Sequence, residues 1–263
     1  MNWFEAIILG LIQGLTEFLP VSSSGHLELG KYLFGINAES NFYFSIVVHG
    51  ATVLSTVLVL WREIYGLIKG ILKFSMNDEM KYVLKIIVSM IPVAIAGIYL
   101  NEIAEKYFTG NMISLGIQFF ITALLLFLTL FIKPKEKPLG FFDAFIVGLA
   151  QVFAILPAVS RSGATIATGM MLGIKKEEIA RFSFLMVLVP VIGANLMELK
   201  SGTISTESTP LFVIIIGFIT AFISGYFACK WMINLVKKGN LVWFAVYSVA
   251  IGIFSILLGL HVI

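Results

Sequence analysis

The sequence predicts an all-α integral membrane protein with six transmembrane helices and two re-entrant helical hairpins, arranged as an inverted repeat. Three observations lead to this prediction: the apolar composition, the uneven placement of basic residues, and an internal repeat of two polar segments. Of the 263 residues, 59% are apolar and 13% are charged, whereas soluble domains carry about 25% charged residues. Most of the chain is therefore expected to lie in lipid.

Composition also argues against several other classes of protein. The net charge of +3 is too small to indicate nucleic acid as a partner. A single cysteine, Cys229, excludes an intramolecular disulfide framework and a thiolate metal cluster. The first residues have no basic region and no small-residue cleavage pattern, so we expect no removable signal peptide.

The first predicted hairpin consists of two short apolar stretches around a polar break. Residues 3–20 are apolar and end at Pro20, and the stretch 26–34 is too short to cross a hydrocarbon core of about 30 Å. An unsatisfied polar group in hydrocarbon costs several kcal/mol, so the residues between these stretches must be enclosed by protein or face a water-filled cavity. We expect a hairpin that enters and leaves the membrane on the same side.

Six further segments have close to the 20 or so residues that a spanning helix needs. They are residues 42–61, 82–100, 111–132, 182–199, 211–229 and 241–262.

The basic residues assign an orientation to these segments. Of the 18 lysines and arginines, 13 lie in the loops 62–81, 133–138, 175–181 and 230–240. The positive-inside rule places these four loops in the cytoplasm and both termini outside. We therefore expect a multi-pass protein of the cell membrane.

Residues 139–174 connect two of these cytoplasmic loops and repeat the first hairpin. When the two hairpins are aligned by a shift of 138 residues, without gaps, they are identical at many positions. Gln13 aligns with Gln151 and Ser22 with Ser160. The prediction is one membrane domain, 1–263, made of inverted repeats of about 1–132 and 139–263. The first hairpin would open outward and the second inward, with their broken helices meeting near the bilayer midplane.

The first hairpin carries a carboxylate, hydroxyls and an imidazole. Gln13 and Glu17 are four residues apart and share one helix face. Ser22, Ser23, Ser24 and Gly25 follow Pro20 and are suited to begin a new helix, which His26 opens. The start of a helix is an anion-binding site.

The second hairpin carries a guanidinium and more hydroxyls. It contains Ser160, Arg161, Ser162 and Thr165, and the repeat makes Arg161 the counterpart of Ser23. A guanidinium at membrane depth needs an anionic partner.

Two interpretations of this arginine are open. Arg161 clamps a phosphate, whose oxygens match its planar fork, or it forms an ion pair with Glu17 that only ties the repeats together. Gln13 has either a substrate role or a helix-to-helix hydrogen bond. His49, inside the first full span, is either a packing element or a group that supports the site.

At these residues the chain resembles a known family. The pattern Gln13-x-x-x-Glu17, the run from Phe18 to His26, and the run from Pro157 to Thr165 resemble the two motifs of the undecaprenyl-diphosphatase family. These are integral-membrane phosphatases linked to bacitracin resistance. The resemblance covers nearly the whole chain. One departure is Ala158, where the family pattern has glycine.

The resemblance implies hydrolysis of a polyprenyl diphosphate to the monophosphate and phosphate on the outer face, assisted by a divalent cation. Glu17 and Gln13 would hold Mg²⁺ or Ca²⁺. Either Ser23 or His26 would attack the terminal phosphorus, and we favour Ser23 as nucleophile with His26 as base. The expected diphosphate-binding residues are Arg161, Ser160, Ser162, Thr165, Ser22, Ser24 and Gly25.

Other classes of function fit parts of the pattern. A secondary transporter or lipid flippase is the main alternative, because inverted repeats with broken helices are typical of transporters. The difference between the two hairpins favours the phosphatase, since one supplies nucleophile and base and the other the clamp. A structural membrane subunit would leave Arg161 unexplained. The expected partners are the lipid substrate and the bilayer, and a homodimer is compatible with the sequence.

Overall fold

The computed structural model describes residues 1–36, 42–108, 110–131, 136–200, 209–238 and 241–262. These residues form eleven α-helices and no β-strand, which confirms the all-α prediction; one isolated bridge joins Lys137 and Ile174. The first six helices are α1 (Trp3–Phe18), α2 (Ser23–Leu33), α3 (Phe42–Val59), α4 (Trp61–Ile71), α5 (Asp78–Phe108) and α6 (Met112–Leu128). The other five are α7 (Phe141–Val152), α8 (Arg161–Met171), α9 (Lys176–Lys200), α10 (Leu211–Lys238) and α11 (Val242–Gly259).

The two polar breaks separate short helices. The chain leaves α1 at Leu19, and Ser22 caps the start of α2, where its side-chain oxygen accepts a hydrogen bond from the Gly25 amide. In the second copy a 3₁₀ turn, Phe153–Ile155, extends α7. Ser160 then caps the start of helix α8, where its side-chain oxygen accepts from the Gly163 amide in the same way. Corresponding serines thus start both inner helices, because a hydroxyl satisfies an amide that lacks a partner in the first turn.

All six segments predicted to span the membrane overlap helices, but fewer qualify by length and composition. Among the described residues, four helical stretches are long and apolar enough to cross a bilayer. They are Asp78–Tyr99, Met112–Phe131, Leu211–Lys238 and Val242–Gly259. A fifth results if α3 and α4, which meet at a bend of 75°, form one broken span.

Three predicted loops are partly helical. Residues 62–71 belong to α4 and 78–81 to α5, residues 176–181 begin α9, and α10 continues through residues 230–238, so the loop prediction was wrong at these places. Helix α4 was missed because its apolar residues, such as Ile64 and Ile68, lie among charged ones on a strongly amphipathic helix. Lys133 and Lys135, on which the prediction of a third cytoplasmic loop partly rests, lie outside the described residues.

Small residues allow helices from the two halves of the chain to pack closely. Helix α1 packs along α10, and helix α7 packs along α5. A methyl group added at Gly14 would contact the backbone oxygen of Ala221, and one at Gly148 would contact the backbone of Ser89. Such contacts are typical of membrane helices, which associate through close backbone approach. Each outer helix of a hairpin therefore packs on a long helix of the other half.

Replacing Gly148 with alanine should destabilise the protein. The added methyl group meets the Ser89 backbone, which cannot move aside as a flexible side chain would. We expect a loss of about 1–3 kcal/mol and a lower Tm in detergent.

Gly66→Ala is the matched control, because it adds a methyl group inside α4 where no atom lies within 4 Å. Alanine is the better helix former, so the Tm of this variant should stay constant or rise. Equal Tm values for the two variants would contradict the close packing of α7 on α5.

Candidate active site

The two broken hairpins meet at a cavity of about 850 Å³. Its polar wall comes from the tips of both hairpins and from α3, and its apolar wall comes mainly from α5 and α9. The polar side chains that line it are Thr16, Glu17, Ser22, Ser23, Ser24, Ser45, His49, Gln151, Ser160, Arg161 and Ser162. The structure therefore brings most of the predicted site residues to one cavity.

Glu17 is the centre of the polar wall. Its Oε2 accepts hydrogen bonds from Ser23 Oγ at 2.5 Å and from Gln13 Nε2 at 2.9 Å. Its Oε1 accepts one from Arg161 Nη2 at 2.9 Å. His49 Nε2 lies 3.9 Å from Oε2. One carboxylate thus joins residues of α1, α2, α3 and α8.

Arg161 forms the ion pair that the sequence analysis gave as one of two interpretations. The Glu17 side chain is 11% exposed and the Arg161 side chain 25%, so the pair is partly desolvated. This pair uses one nitrogen of a guanidinium that carries five N–H donors. Since Arg161 also lines the cavity, the ion pair leaves donors for an anionic ligand.

Helices α2 and α8 both begin at the cavity, with Ser23 and Arg161 as their first residues. Hydrogen bonds between the hairpins fix this arrangement: Ser22 Oγ donates to the Pro157 carbonyl and Ser162 Oγ to the Leu19 carbonyl, both at 3.2 Å. Two helix N-termini with positive dipole ends therefore face one space, a geometry suited to an anion.

Gln13, which is fully buried beside Glu17, does not line the cavity, and two other predicted substrate-binding residues also lie behind its wall. Thr165 is fully buried, with its hydroxyl 2.8 Å from the Arg161 carbonyl and 2.6 Å from Ser183 Oγ. A side chain at Gly25 would meet Phe119 and Ala158. Neither residue is among those that line the cavity, so the structure gives both a packing and positioning role.

His26 points away from Ser23. Its Nδ1 lies 2.7 Å from the Ser22 carbonyl and its Nε2 lies 2.8 Å from the Tyr247 hydroxyl, and its ring stacks on Tyr247. A carbonyl only accepts, so Nδ1 carries the hydrogen and the neutral ring accepts at Nε2. Within the described part of the chain no hydrogen bond joins His26 to Ser23, contrary to the expected base–nucleophile pair.

His26 instead supports an unusual backbone. Ser22 has a φ of 70°, in the left-handed region that non-glycine residues rarely adopt. The carbonyl of this residue accepts hydrogen bonds from both the ring and the backbone amide of His26. Strained positions persist where surrounding contacts hold them, so His26 helps to fix the turn that presents Ser23.

Several residues of the site were missed from the sequence or given no more than a supporting role. His49 contacts Glu17, and its Nδ1 lies 2.8 Å from the Ser45 carbonyl. Behind the second hairpin, Gln118 Oε1 accepts from the Ala158 amide at 2.8 Å and Thr122 Oγ1 from the Ser160 amide at 3.0 Å. These residues lie on α3 and α6, outside both motifs, where only their polarity within an apolar helix singles them out.

The sequence of this chain matches a known protein family. The family model described as bacitracin resistance protein BacA matches residues 6–254. The chain belongs to the BacA family. This confirms the resemblance that the two motifs indicate.

Several proteins named undecaprenyl-diphosphatase are similar to this BacA-family protein over nearly its whole length. Over 260 residues it is 50% identical to an undecaprenyl-diphosphatase of Bacteroides fragilis, covering 97% of this chain and 98% of that protein. The undecaprenyl-diphosphatase of Bacteroides thetaiotaomicron is 50% identical over 257 residues, with 96% and 97% covered. The one from Carboxydothermus hydrogenoformans is 40% identical over 259 residues, with 96% of each chain covered.

The oxygen donors of the site suit a divalent cation whose remaining ligands come from water or a bound ligand. The described residues contain no group of three or more His, Cys, Asp and Glu side chains suited to a metal. Glu17 is the carboxylate of the cavity wall, and the buried Oε1 of Gln13 has no hydrogen-bond partner. Mg²⁺ commonly binds one or two carboxylates together with substrate phosphates and water, so these two oxygens suit it.

In this BacA-family site, removing the Tyr247 hydroxyl should slow the reaction without loss of substrate binding. Tyr247→Phe keeps the ring that stacks on His26 and removes the hydrogen bond to its Nε2. A net hydrogen bond contributes about 1 kcal/mol, so kcat should fall about fivefold while KM stays within twofold.

A neighbour on the same helix provides the control. Val246 is 53% exposed, so Val246→Ala should change neither kinetic constant. A Tyr247→Phe enzyme with unchanged kcat would show that the orientation of His26 does not matter for the reaction.

Proposed function

We propose that this chain is a membrane phosphatase that hydrolyses undecaprenyl or a related polyprenyl diphosphate to the monophosphate and inorganic phosphate. The reaction recycles the lipid carrier of cell-envelope synthesis and confers bacitracin resistance. The observation that carries the proposal is the hydrogen bond of 2.5 Å from Ser23 Oγ to the Glu17 carboxylate, opposite Arg161. A serine hydroxyl thus lies beside a carboxylate base and the Arg161 guanidinium, which would bind phosphate, where two helices begin. Relatives of 50% identity carry the name undecaprenyl-diphosphatase.

In the first step, Ser23 Oγ attacks the terminal phosphorus and its proton passes to Glu17. The new bond joins Ser23 Oγ to phosphorus, and the bond between that phosphorus and the bridging oxygen breaks. Polyprenyl monophosphate leaves with the bridging oxygen, which takes the proton from Glu17 and so restores the carboxylate. Arg161 and the amides at the starts of α2 and α8 stabilise the negative charge on the transferring group.

In the second step, water attacks the phosphoserine. Glu17 takes a proton from that water and gives it to Ser23 Oγ as the bond from this oxygen to phosphorus breaks, so that inorganic phosphate leaves and Ser23 regains its hydroxyl. Glu17 is suited to both steps, because its Oε2 already accepts the Ser23 hydrogen and its Oε1 is held by Arg161. The geometry thus favours Glu17 over His26 as the base.

A divalent cation, when bound with substrate, would offset charge on the diphosphate. Glu17 and the unpartnered Gln13 oxygen are the groups that would hold it. Gln13 donates to Glu17 Oε2 through its nitrogen, which leaves its buried oxygen without a hydrogen-bond partner.

The comparisons lend no support to the transporter or flippase alternative. The relatives described above are named for hydrolysis of undecaprenyl diphosphate. The two hairpins also differ chemically, with Ser23 in one copy and Arg161 in the other, as a phosphatase requires.

The proposed membrane arrangement has six spans and two re-entrant hairpins related as inverted repeats, with both termini and the active site facing outside. Two observations support it. The hairpin helices α1 and α7 are short, at 16 and 12 residues. The packing is reciprocal, since α1 lies along α10 and α7 along α5, helices that correspond in the two repeats. A homodimer remains compatible with this arrangement.

The decisive experiment for the function is an assay of phosphate release from undecaprenyl diphosphate by the purified protein. We expect turnover by the natural sequence and, in a brief reaction with substrate labelled on the terminal phosphate, acid-stable phosphoserine at residue 23. Ser23→Ala should lower kcat at least 1,000-fold, as expected for a lost nucleophile.

Arg161→Lys and Ser75→Ala complete the set of variants. Lysine keeps the positive charge but lacks the planar guanidinium that donates two hydrogen bonds to a phosphate, so kcat should fall by about two orders of magnitude. Ser75 lies outside the cavity and serves as the control for Ser23→Ala. Alkali-stable, acid-labile phosphate on His26 in the Ser23→Ala protein would make His26 the nucleophile and refute the mechanism.

The orientation can be tested with single cysteines after replacing buried Cys229. Cysteines at Lys73 and Lys238 should resist a membrane-impermeant thiol reagent added to intact cells, because both positions lie in predicted cytoplasmic segments. Cysteines at Leu211 and Val262 should react, since these residues are 71% and 64% exposed at the predicted outer face. Permeabilised cells give the control in which all four react. Protection of 211 and 262 with labelling of 73 and 238 would reverse the topology.

A further inference from the structure

Gln151 is a cavity residue for which neither motif provides a role. It lies on α7, and its wall of the cavity is otherwise apolar. Met90, Val93 and Ile98 of α5 and Ile155 of the 3₁₀ turn are among its neighbours in that wall. Among the described residues, Gln151 is the one polar side chain that α5, α7 and the 3₁₀ turn contribute to the cavity.

The Gln151 amide is buried without a hydrogen-bond partner. The residue is 2% exposed, and its Oε1 has no partner. In the described part of the chain its side chain forms no hydrogen bond at all. An unsatisfied buried polar group costs about 1–3 kcal/mol, so the folded protein alone gives no reason for an amide here.

The internal repeat explains why this amide has no partner. Gln151 corresponds to Gln13, and the counterpart of Glu17 is Ile155. In the first copy, Gln13 Nε2 donates to Glu17 at 2.9 Å. The second copy has the amide and lacks the carboxylate, so the Gln151 amide is left available to a ligand in the cavity.

We propose that Gln151 binds the inner phosphate of the polyprenyl diphosphate, the phosphate that remains on the lipid. This inference rests on the proposed function. The terminal phosphate must lie at Ser23 and Arg161, where its bond is broken, and the prenyl chain needs an apolar wall. The inner phosphate links the terminal phosphate to the prenyl chain. An amide in the apolar wall is therefore placed to contact this inner phosphate. It donates N–H to phosphate oxygens, and being uncharged it is less costly to bury than a lysine or arginine.

The test compares Gln151→Met with Gln118→Met. Methionine has a similar volume in both cases, but Gln118 makes two hydrogen bonds, to the Ala158 amide and to Ser114 Oγ, whereas Gln151 makes none. Gln118→Met should therefore lower the Tm, and Gln151→Met should leave it unchanged or raise it. Binding of polyprenyl monophosphate is measured by the rise in Tm that it causes, which requires no catalytic turnover.

In the Gln151→Met protein, the apparent Kd for polyprenyl monophosphate should rise about tenfold, as expected for a lost hydrogen bond to a charged group. The inhibition constant for inorganic phosphate, which occupies the terminal site, should stay within twofold. Gln118→Met should leave the ratio of these two constants unchanged.

Two results would overturn the proposal. An unchanged Kd for the monophosphate would mean that Gln151 does not contact the inner phosphate. An equal weakening of monophosphate and inorganic phosphate would place it at the terminal site or in a general structural role. If the protein without substitutions binds the monophosphate but does not hydrolyse the diphosphate, the proposed phosphatase function is refuted. The binding role of Gln151 can still be measured in that case.

Discussion

The contact between Glu17 and Arg161 is the interaction on which the site depends. The two residues come from different hairpins, 144 positions apart, and meet at 2.9 Å in a partly desolvated setting. Removing either partner from a buried pair costs about 3–5 kcal/mol, because the other charge is left uncompensated. The same carboxylate orients Ser23 and Gln13 and lies against His49. Stability and chemistry therefore share one group, and changes at Glu17 cannot separate them.

The breaks in the hairpins are tolerated because other parts of the chain satisfy their polar atoms. The Pro157 and Leu19 carbonyls accept from serines of the opposite hairpin, and α6 supplies acceptors to the amides of Ala158 and Ser160. Irregular backbone at membrane depth requires such partners, since lipid offers none. The irregular segments are also the ones that line the cavity. The constraint that forces the two tips together is thus the same one that assembles the site.

Sequence patterns predicted the parts of this arrangement that local chemistry determines. Pro20 and the serines after it predicted a helix break and a new start, and the repeat predicted a second one at Ser160. The pairing of Glu17 with Arg161 was one of two interpretations of this arginine, because a guanidinium at membrane depth needs an anionic partner. The direction of His26 could not be predicted, since its ring follows a hydrogen bond to Tyr247, 221 residues away. His49 was given only a packing or supporting role and Gln151 was noted only as the counterpart of Gln13, because one polar residue in an apolar helix is compatible with several roles.

The pairing of Ser23 with Arg161 across the repeat has a consequence for how such a protein can arise. Two identical half-length chains related by a twofold axis would present the same side chain from both sides, either two serines or two arginines. They could not present a nucleophile opposite a cation at equivalent positions. Once duplicated halves reside in one polypeptide, each can mutate independently of the other. The two halves must therefore differ in sequence for this division of labour, and a symmetric dimer of one half could not place serine and arginine at equivalent positions.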